Sequence, residues 1–398
     1  MLAFIAVGFQ GCSLWKVKPE KVDGSALKKL SVSRYPEFTD DMNYDGLKEA
    51  IQESLTYLRK LPPDRKFRFD EDVYDTQHMI KTLALLGDFL GYAPSKETLN
   101  KFIRSCFQVY KARGRKETGD VLFTGYYEPA LEASASPGPA FPYPVFARPE
   151  DHVVIDLSRF GLRFKGEKKI VGRITDDRTI IPYYDRREIN EGRLAGKVHP
   201  LAYVKDRVDL FFLQIQGSGK LYIDGGAPFY VQYHTTNGHP YKSIGALLIR
   251  EGKIAREEMS MQKIRSYLRE HPDEVDDVLN YNPSYVFFKL NKDGPYGCYG
   301  TKVTAGRSVA LEKRIFPAAA VGFMTSQKPV VDAAGNISKW QDFNRFVLNQ
   351  DTGGAIKGPG RADLFWGDGP YAEIAAGYSQ HPGELYFFML RTPALPLP

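Results

Sequence analysis

The sequence is poor in cysteine, with only three in 398 residues: Cys12, Cys106 and Cys298. Three cysteines are too few for a framework of disulfide bridges, and none has the C-x-x-C spacing of zinc or redox sites. The seven histidines contain no H-E-x-x-H motif or other metal-ligand spacing. These absences exclude a small disulfide scaffold and predict that the protein binds no metal ion.

A strong charge of one sign is missing as well, since 54 Lys+Arg against 48 Asp+Glu leave a net charge of +6. The 43% of apolar residues and the mean hydropathy of -0.36 exclude disorder and collagen-like repeats. At this length we expect about two or three domains. The basic excess is spread along the chain without a basic helix or an aromatic-basic module, so the sequence does not predict binding to nucleic acid.

The first residues contain a short apolar run, 2–9. It is followed by Gln10-Gly11-Cys12 and then by a polar segment. The run is too short to span a bilayer. A short apolar segment with a small residue before a cysteine is typical of a bacterial lipoprotein signal, which predicts cleavage before a lipidated Cys12. The alternative is a frayed apolar terminus with a chance cysteine, because no Lys or Arg precedes the run.

Helical periodicity dominates residues 40–110. One apolar stripe repeats over 47–58, a second over 80–90, and Ser95 is a plausible N-cap for a third helix that carries apolar residues as far as Tyr110. Cys106 lies on that third stripe, which favours a core thiol over a nucleophile. Two more helices are expected at 241–251 and 260–271.

After Asp120 the sequence consists of short β-rich runs broken by Gly and Pro, which favours a barrel over a parallel α/β sheet. Within it, the alternation over 209–224 predicts a strand with Gln214 and Gln216 on one face. The string Gln216-Gly217-Ser218-Gly219-Lys220 resembles part of a phosphate loop but lacks its other residues, so we interpret it as a hairpin turn.

The densest group of candidate catalytic residues lies in the segment DTGGAIKGPGRADLFWGDGP. This segment begins at Asp351 and also contains Asp363 and Asp368. Asp351 follows an apolar run and is expected to end a strand. Asp363 precedes Leu364-Phe365-Trp366, and a carboxyl among bulky apolar side chains is desolvated, which makes it a candidate proton donor near neutral pH. The alternative is that all three aspartates cap turns.

This C-terminal string closely resembles the three-aspartate domain of the membrane-bound lytic murein transglycosylase A family. Further strings resemble the same family in order along the chain. They are LFTGYYEP from Leu122, FFLQIQGSGKL from Phe211, NGHPYKSIG from Asn237, NPSYVFF from Asn282 and TAGRS from Thr304. The resemblance covers roughly residue 120 to the C-terminus. Glu312 departs from it, standing where an Asp is usual.

The resemblance implies a mainly β protein with N-terminal helices. It predicts a double-psi β-barrel domain, into which a second β-barrel domain is inserted, with the substrate groove between them. On this basis we expect a signal over 1–12, the helical region and first barrel over 13–122 plus 289–398, and the inserted barrel over 123–288.

The activity that the resemblance implies is cleavage of peptidoglycan glycan strands between N-acetylmuramic acid and N-acetylglucosamine without water, with no metal and no cofactor. Asp363 matches the family's single catalytic acid, and Asp351 and Asp368 match its companions. The implied enzyme is lipid-anchored at the periplasmic face of the outer membrane of a Gram-negative bacterium, where contact with cell-wall synthesis complexes is expected. A hydrolase that uses two aspartates and a glycan-binding lipoprotein without turnover remain the alternatives.

A groove that binds sugars needs aromatic side chains, which offer flat apolar surfaces, and side-chain amides, which form hydrogen bonds. Residue chemistry therefore adds six candidate glycan contacts: Thr124, Tyr126, Tyr127, Gln214, Gln216 and Tyr241. Lys357 and Arg361 flank Asp363, and either would lower its pKa if it pointed at the carboxyl.

Overall fold

The computed structural model describes residues 26–161 and 169–391. Cys12 and the expected signal lie outside these residues. The described helices are α1 Leu47–Leu58, α2 Thr76–Leu90, α3 Lys96–Cys106, α4 Arg186–Asn190, α5 Arg207–Gln216, α6 Ile244–Arg250, α7 Met261–Glu270, α8 Val275–Asn280 and α9 Gly369–Tyr378.

The described strands outnumber the helices about two to one. They are β1 Leu27–Lys29, β2 Lys66–Phe69, β3 Asp72–Asp75, β4 Phe107–Ala112, β5 Val121–Glu128, β6 Ala130–Ser134, β7 Tyr143–Phe146, β8 His152–Ile155, β9 Ile170–Ile174, β10 Ile180–Pro182, β11 Pro200–Val204, β12 Ser218–Ile223, β13 Pro228–Thr236, β14 Val286–Asn291, β15 Ser308–Ala310, β16 Val321–Val331, β17 Ile337–Asp351, β18 Arg361–Asp368 and β19 Gln380–Leu390.

The first barrel is a closed sheet in the order β19-β16-β17-β15-β18-β5, with β5 pairing back to β19. Strands β4 and β1 extend this sheet beyond β19. Only β5 of the six closing strands comes from the N-terminal half, so two distant chain segments must meet before the barrel exists. This is the double-psi β-barrel that the resemblance implied.

The second barrel contains β14-β13-β12-β6-β11-β7, and a bridge between Ala147 and Phe288 joins its two edge strands. The chain enters it directly from the first barrel, because β5 ends at Glu128 and β6 begins at Ala130. Its apolar interior includes Val145, Leu221 and Val231. The mainly β fold with an inserted barrel is therefore confirmed, while the exact limits of 123–288 stay a prediction.

The N-terminal helices pack on the first barrel and share its core. In α1 the predicted stripe is buried, and Ser95 caps α3 by accepting a hydrogen bond from the Thr98 N–H, as predicted. Ser260 caps α7 in the same way. The helices expected at 241–251 and 260–271 are confirmed as α6 and α7.

The third predicted helix is too long by four residues. It ends at Cys106, which is half-buried against the core with a free thiol, and Phe107 begins strand β4. Backbone pairing of β4 with β19 and β1 provides hydrogen bonds that no sequence period reveals. Tertiary pairing therefore overrode the local helical pattern.

The strand predicted over 209–224 is wrong in its first half, where the chain forms α5. Asp206 caps the helix through the Val208 N–H, and Gly217 ends it in the left-handed region at φ 81. Gly217 is thus a helix stop rather than a hairpin turn. Gln214 and Gln216 do not share a face, since residues two apart in a helix point about 200° apart.

One buried ion pair ties the N-terminal segment to the first barrel. The Arg307 guanidinium donates to both Asp40 carboxylate oxygens, at 2.6 and 2.8 Å, and both side chains are fully buried. Arg307 also donates to the Asp45 and Phe346 carbonyls, while Asp40 accepts the Phe346 N–H. With so many partners satisfied, the burial of both charges is compensated.

We expect Arg307→Met to lower the free energy of unfolding by about 3–5 kcal/mol, because it leaves the Asp40 carboxylate buried without its cation. Urea denaturation measures the loss. The matched control is Glu37→Gln, which removes the exposed ion pair with Lys96 and should leave the free energy of unfolding almost unchanged. Equal losses in the two variants would show that the buried pair does not hold the segment.

Candidate active site

Two of the three singled-out aspartates meet on either side of Ala310. Strand β15 runs between β17 and β18, so that Ala310 pairs with Asp351 on one side and with Asp363 on the other. Paired residues of neighbouring strands project to the same face of a sheet. Asp351 is the last residue of β17, as predicted. The barrel therefore brings together two carboxyls that are twelve positions apart in sequence.

Asp363 accepts a hydrogen bond from the Thr124 hydroxyl, which lies 2.8 Å from its Oδ1. Thr124 is its partner residue on β5. Burial raises the pKa of Asp363 to about 6, and the Thr124 hydroxyl and the Arg361 charge oppose this only partly. Of the two flanking cations, only Arg361 affects Asp363. The carboxyl is therefore suited to donate a proton near neutral pH.

Asp351 is held by three donors instead of one. The Tyr126 hydroxyl, at 3.0 Å, binds Oδ2, while the Cys298 and Thr352 N–H groups, at 2.9 and 2.8 Å, bind Oδ1. Burial raises its pKa to about 6 and the nearby Asp363 adds to this, although the three donors favour the charged form. Both oxygens are thus engaged with the protein.

Asp368 lies in a different cluster. Its exposed carboxylate is bound by Lys220 of β12, whose ammonium also lies 3.5 Å from Glu128. Burial raises the pKa of Glu128 to about 7 against the opposing charge of Lys220. The cluster links the two barrels where the chain crosses between them. Sequence reasoning did not identify Glu128 and Lys220, because only the fold brings them together.

Of the six candidate glycan contacts, Thr124 and Tyr126 lie at the two carboxyls. Tyr127 projects to the other side of β5 and packs on Ala372 and Ala376 of α9. Gln216 accepts the Tyr127 N–H, and Gln214 is only 4% exposed. Tyr241 is 44% exposed and lies in the inserted domain near Arg186. Sequence alternation alone did not distinguish the residues that contact the two carboxyls from those that lie elsewhere.

Gly125 allows β5 to approach α9 closely. A Cβ there would lie 2.5 Å from the Trp366 indole nitrogen and 2.8 Å from the Ala376 Cα, distances that no side chain tolerates. Glycine is therefore required between the two residues that contact the carboxyls.

Glu312 holds the glycine-rich loop that connects Asp351 to β18. Its Oε2 accepts the Gly358 N–H at 2.6 Å, and its Oε1 accepts from the Arg314 guanidinium. Burial alone would raise the pKa of Glu312, but the Gly358 N–H and Arg314 outweigh it and the pKa is lowered. The glutamate that departed from the family pattern thus acts as a charged anchor for the loop.

Within residues 26–161 and 169–391 no group of three or more His, Cys, Asp or Glu side chains is placed to hold a metal ion.

Two family models match the chain. The "MltA specific insert domain" matches residues 122–289, and the "3D domain" matches 307–389. Membrane-bound lytic murein transglycosylase A of Escherichia coli K12 is 32% identical over 280 residues, which cover 70% of this chain and 68% of the relative. The Vibrio cholerae protein of the same name is 30% identical over 308 residues, covering 74% and 75%. The chain belongs to the membrane-bound lytic murein transglycosylase A family.

Solved structures of this family share the fold of the chain. A membrane-bound lytic murein transglycosylase from Agrobacterium tumefaciens superposes with a TM-score of 0.73 at 29% identity, over 92% of this chain and 98% of that one. The Escherichia coli family member with bound chitohexaose superposes with a TM-score of 0.69 at 25% identity, over 94% and 98%.

In this family member we expect Asp363→Asn to be more stabilising at about pH 8 than at about pH 4.5. The folded-state pKa of Asp363 is about 6, above the ~3.9 of an unfolded aspartate. The wild type therefore loses stability as the pH rises through the folded-state value, and a neutral Asn avoids a loss on the order of 1 kcal/mol.

Thermal unfolding at the two pH values measures the effect. The control, Asp64→Asn at an exposed site, should shift the melting temperature equally at both. An equal shift for Asp363→Asn would mean that its carboxyl has an ordinary pKa.

Proposed function

We propose that Asp363 is the single catalytic acid and base of this enzyme. The chain is a peptidoglycan lytic transglycosylase, which cleaves the β-1,4 bond between N-acetylmuramic acid and N-acetylglucosamine and leaves a 1,6-anhydro end. The observation that carries the residue assignment is the contrast between two neighbouring carboxyls. Asp363 has a raised pKa and one hydrogen-bond donor, whereas Asp351 is held by three.

Asp363 would act first as an acid. Its proton passes to the glycosidic oxygen as the bond from that oxygen to C1 of the muramic acid breaks. With a pKa of about 6, roughly a tenth of the carboxyl is protonated at pH 7. The Thr124 hydroxyl holds Oδ1, which leaves Oδ2 for the proton that is transferred.

The carboxylate that results would then act as a base. It takes the proton from the C6 hydroxyl of the same sugar while that oxygen attacks C1, so the proton is returned and the ring closes. Because the nucleophile belongs to the substrate, correct positioning replaces the attack of a free water, an advantage that reaches about 7 kcal/mol or more in well-oriented systems.

The hydrolytic alternative needs a second carboxylate with a free oxygen beside a water. Asp351 has both oxygens bound by Tyr126 and two N–H groups, and Asp368 is paired with Lys220. This arrangement favours the transglycosylase reaction. In it, Asp351 and Tyr126 support the site by fixing β17 against β5.

For substrate binding, we infer that the chain takes glycan strands of peptidoglycan. The Escherichia coli family member binds chitohexaose, a chain of amino sugars. The non-catalytic alternative is disfavoured by the presence of Asp363 with the pKa of an acid catalyst.

Mass spectrometry of fragments released from purified peptidoglycan tests the reaction and the residue together. We expect wild type to release anhydro fragments, which are one water lighter than reducing-end fragments. Asp363→Asn should lower the release by about 100-fold or more, because the proton donor is lost. The control, Asp342→Asn on the exposed part of β17, should release them at the wild-type rate.

Reducing-end fragments from wild type would instead identify a hydrolase, and no release at all would favour the glycan-binding lipoprotein. Undiminished release by Asp363→Asn would move the acid role to another residue.

For localisation, the family is membrane-bound by name, which associates the chain with the bacterial envelope. In residues 26–161 and 169–391, no helix is long and apolar enough to cross a membrane. We propose attachment to the periplasmic face of the outer membrane through a lipid on Cys12. Recruitment into cell-wall synthesis complexes stays a prediction.

Labelling of a Gram-negative host with radioactive palmitate tests the anchor. We expect the label on wild type and on Cys298→Ser, but not on Cys12→Ser, which should also leave the membrane fraction. Label retained by Cys12→Ser would refute this attachment point.

A further inference from the structure

A cavity of about 790 Å³ opens on the inserted domain, and none of the residues that contact Asp351 or Asp363 lines it. Its walls come from α4, the segment that follows it, α5, α8 and β7. This volume is within the range of small-ligand sites. Aromatic rings line much of it, among them Tyr143, Phe211 and Tyr285.

Arg186 lies in the wall of this cavity with a side chain that is only 3% exposed. Its Nε donates to the Asn282 carbonyl at 2.9 Å and its Nη2 to the Ser284 carbonyl at 2.6 Å. The guanidinium carbon lies 4.7 Å from the centre of the Phe211 ring and 5.1 Å from that of Tyr285. These four neighbours, two carbonyls and two rings, are neutral and hold the guanidinium plane in one orientation.

No carboxylate of the described residues forms an ion pair with Arg186, whose hydrogen bonds to the Asn282 and Ser284 carbonyls are made by Nε and Nη2. The other two arginines of the cavity differ, because Arg187 pairs with Asp277 and Arg207 with Asp276. Burial lowers the pKa of Arg186 to about 10, so the group stays charged at neutral pH. The cavity therefore carries one buried positive charge without a counter-charge.

A second buried polar side chain, that of Gln214, lies close to Tyr285 of the cavity wall. Gln214 is not among the residues that line the cavity itself. Gln214 follows Phe211 by one helical turn of α5, so both side chains lie on the helix face toward Arg186 and Tyr285.

The chemistry of the missing partner follows from these groups. A single uncompensated guanidinium matches one negative charge, and arginine binds carboxylates through paired N–H groups. The surrounding rings provide apolar contact for the carbon atoms that carry the carboxylate. A polyphosphate or nucleic acid would require several free cations, and Arg187 and Arg207 are already paired.

We propose that this cavity is an accessory site for the substrate. It binds a carboxylate group of a peptide stem that the glycan strand carries. The proposal rests on the proposed function, since only a peptidoglycan substrate brings such stems to the enzyme. Arg186 binds the carboxylate, and the site raises affinity for strands that carry stems without taking part in the reaction at Asp363.

Cleavage of two substrates tests this site separately from catalysis. The full-length enzyme is given glycan strands with intact stems and strands whose stems an amidase has removed, and anhydro products are counted. For Arg186→Gln we expect the KM for stem-bearing strands to rise by at least about tenfold, with cleavage of stem-free strands unchanged. Asp363→Asn should lose cleavage of both.

A second variant protects the test against loss of folding, because Arg186 also holds residues 282–284. Ala195→Trp places a large ring in the cavity from an exposed lining position that does not contact Arg186, and should raise the same KM. Lys339→Trp, on the exposed part of β17, is the matched control and should leave both substrates unaffected. Thermal unfolding identifies any variant that does not fold.

Calorimetric titration compares a sugar-free stem tetrapeptide with benzoate. It distinguishes a site for peptide stems from a site for other small carboxylates. Binding of the tetrapeptide to wild type but not to Ala195→Trp supports the proposal. Binding of benzoate alone would overturn the assignment to a stem, and a wild-type KM in Ala195→Trp for stem-bearing strands would overturn the site. If wild type cleaves neither substrate, the proposed function fails instead.

Discussion

Strand β5 is the element on which the rest of the structure depends, because it closes the first barrel and reaches the site at the same time. It pairs in parallel with β18 and in the antiparallel direction with β19. In this register Thr124 meets Asp363 and Tyr126 meets Asp351, and Glu128 at its end faces Lys220 of the second barrel. A slip of one residue would turn these side chains to the opposite face.

The same strand makes two similar carboxyls chemically different. Both lie beside Ala310 and both have a pKa of about 6, raised first of all by burial. They differ in their donors, because Tyr126 and two N–H groups engage both oxygens of Asp351, whereas Thr124 engages one oxygen of Asp363. This difference in hydrogen bonding is the basis on which we propose Asp363, and not Asp351, as the catalytic acid.

Two buried arginines show how the same side chain serves different purposes. Arg307 is fully buried against Asp40, so its charge is balanced and joins the N-terminal segment to the barrel. Arg186 is almost as buried but has carbonyl groups and aromatic rings as its neighbours. An ion pair inside a protein stabilises the fold only when its hydrogen bonds are complete. A charge without such a partner is better understood as a binding group.

Periodicity and composition predicted the N-terminal helices, the β-rich body and the strand that ends at Asp351, because these depend on local spacing. Local context also singled out Asp363, because the bulky residues that follow it in sequence indicated a buried environment, and the carboxyl is desolvated in the fold. The resemblance to a family predicted the architecture of two barrels. The local sequence pattern alone predicted only that a barrel is present.

The errors arose where long-range contacts decide. Alternation over 209–224 predicted a strand, but the continuous buried run 210–214 and the capping residues Asp206 and Gly217 made its first half a helix. The family resemblance places Asp368 with Asp363, and the fold pairs it with Lys220 of the other barrel, so its supporting role stays a prediction. By itself the sequence determined which residues could carry a proton and where helices and strands would form. Only the tertiary structure decided how many hydrogen bonds each carboxyl accepts, because its hydrogen-bond partners and its burial come from strands that are distant in the chain.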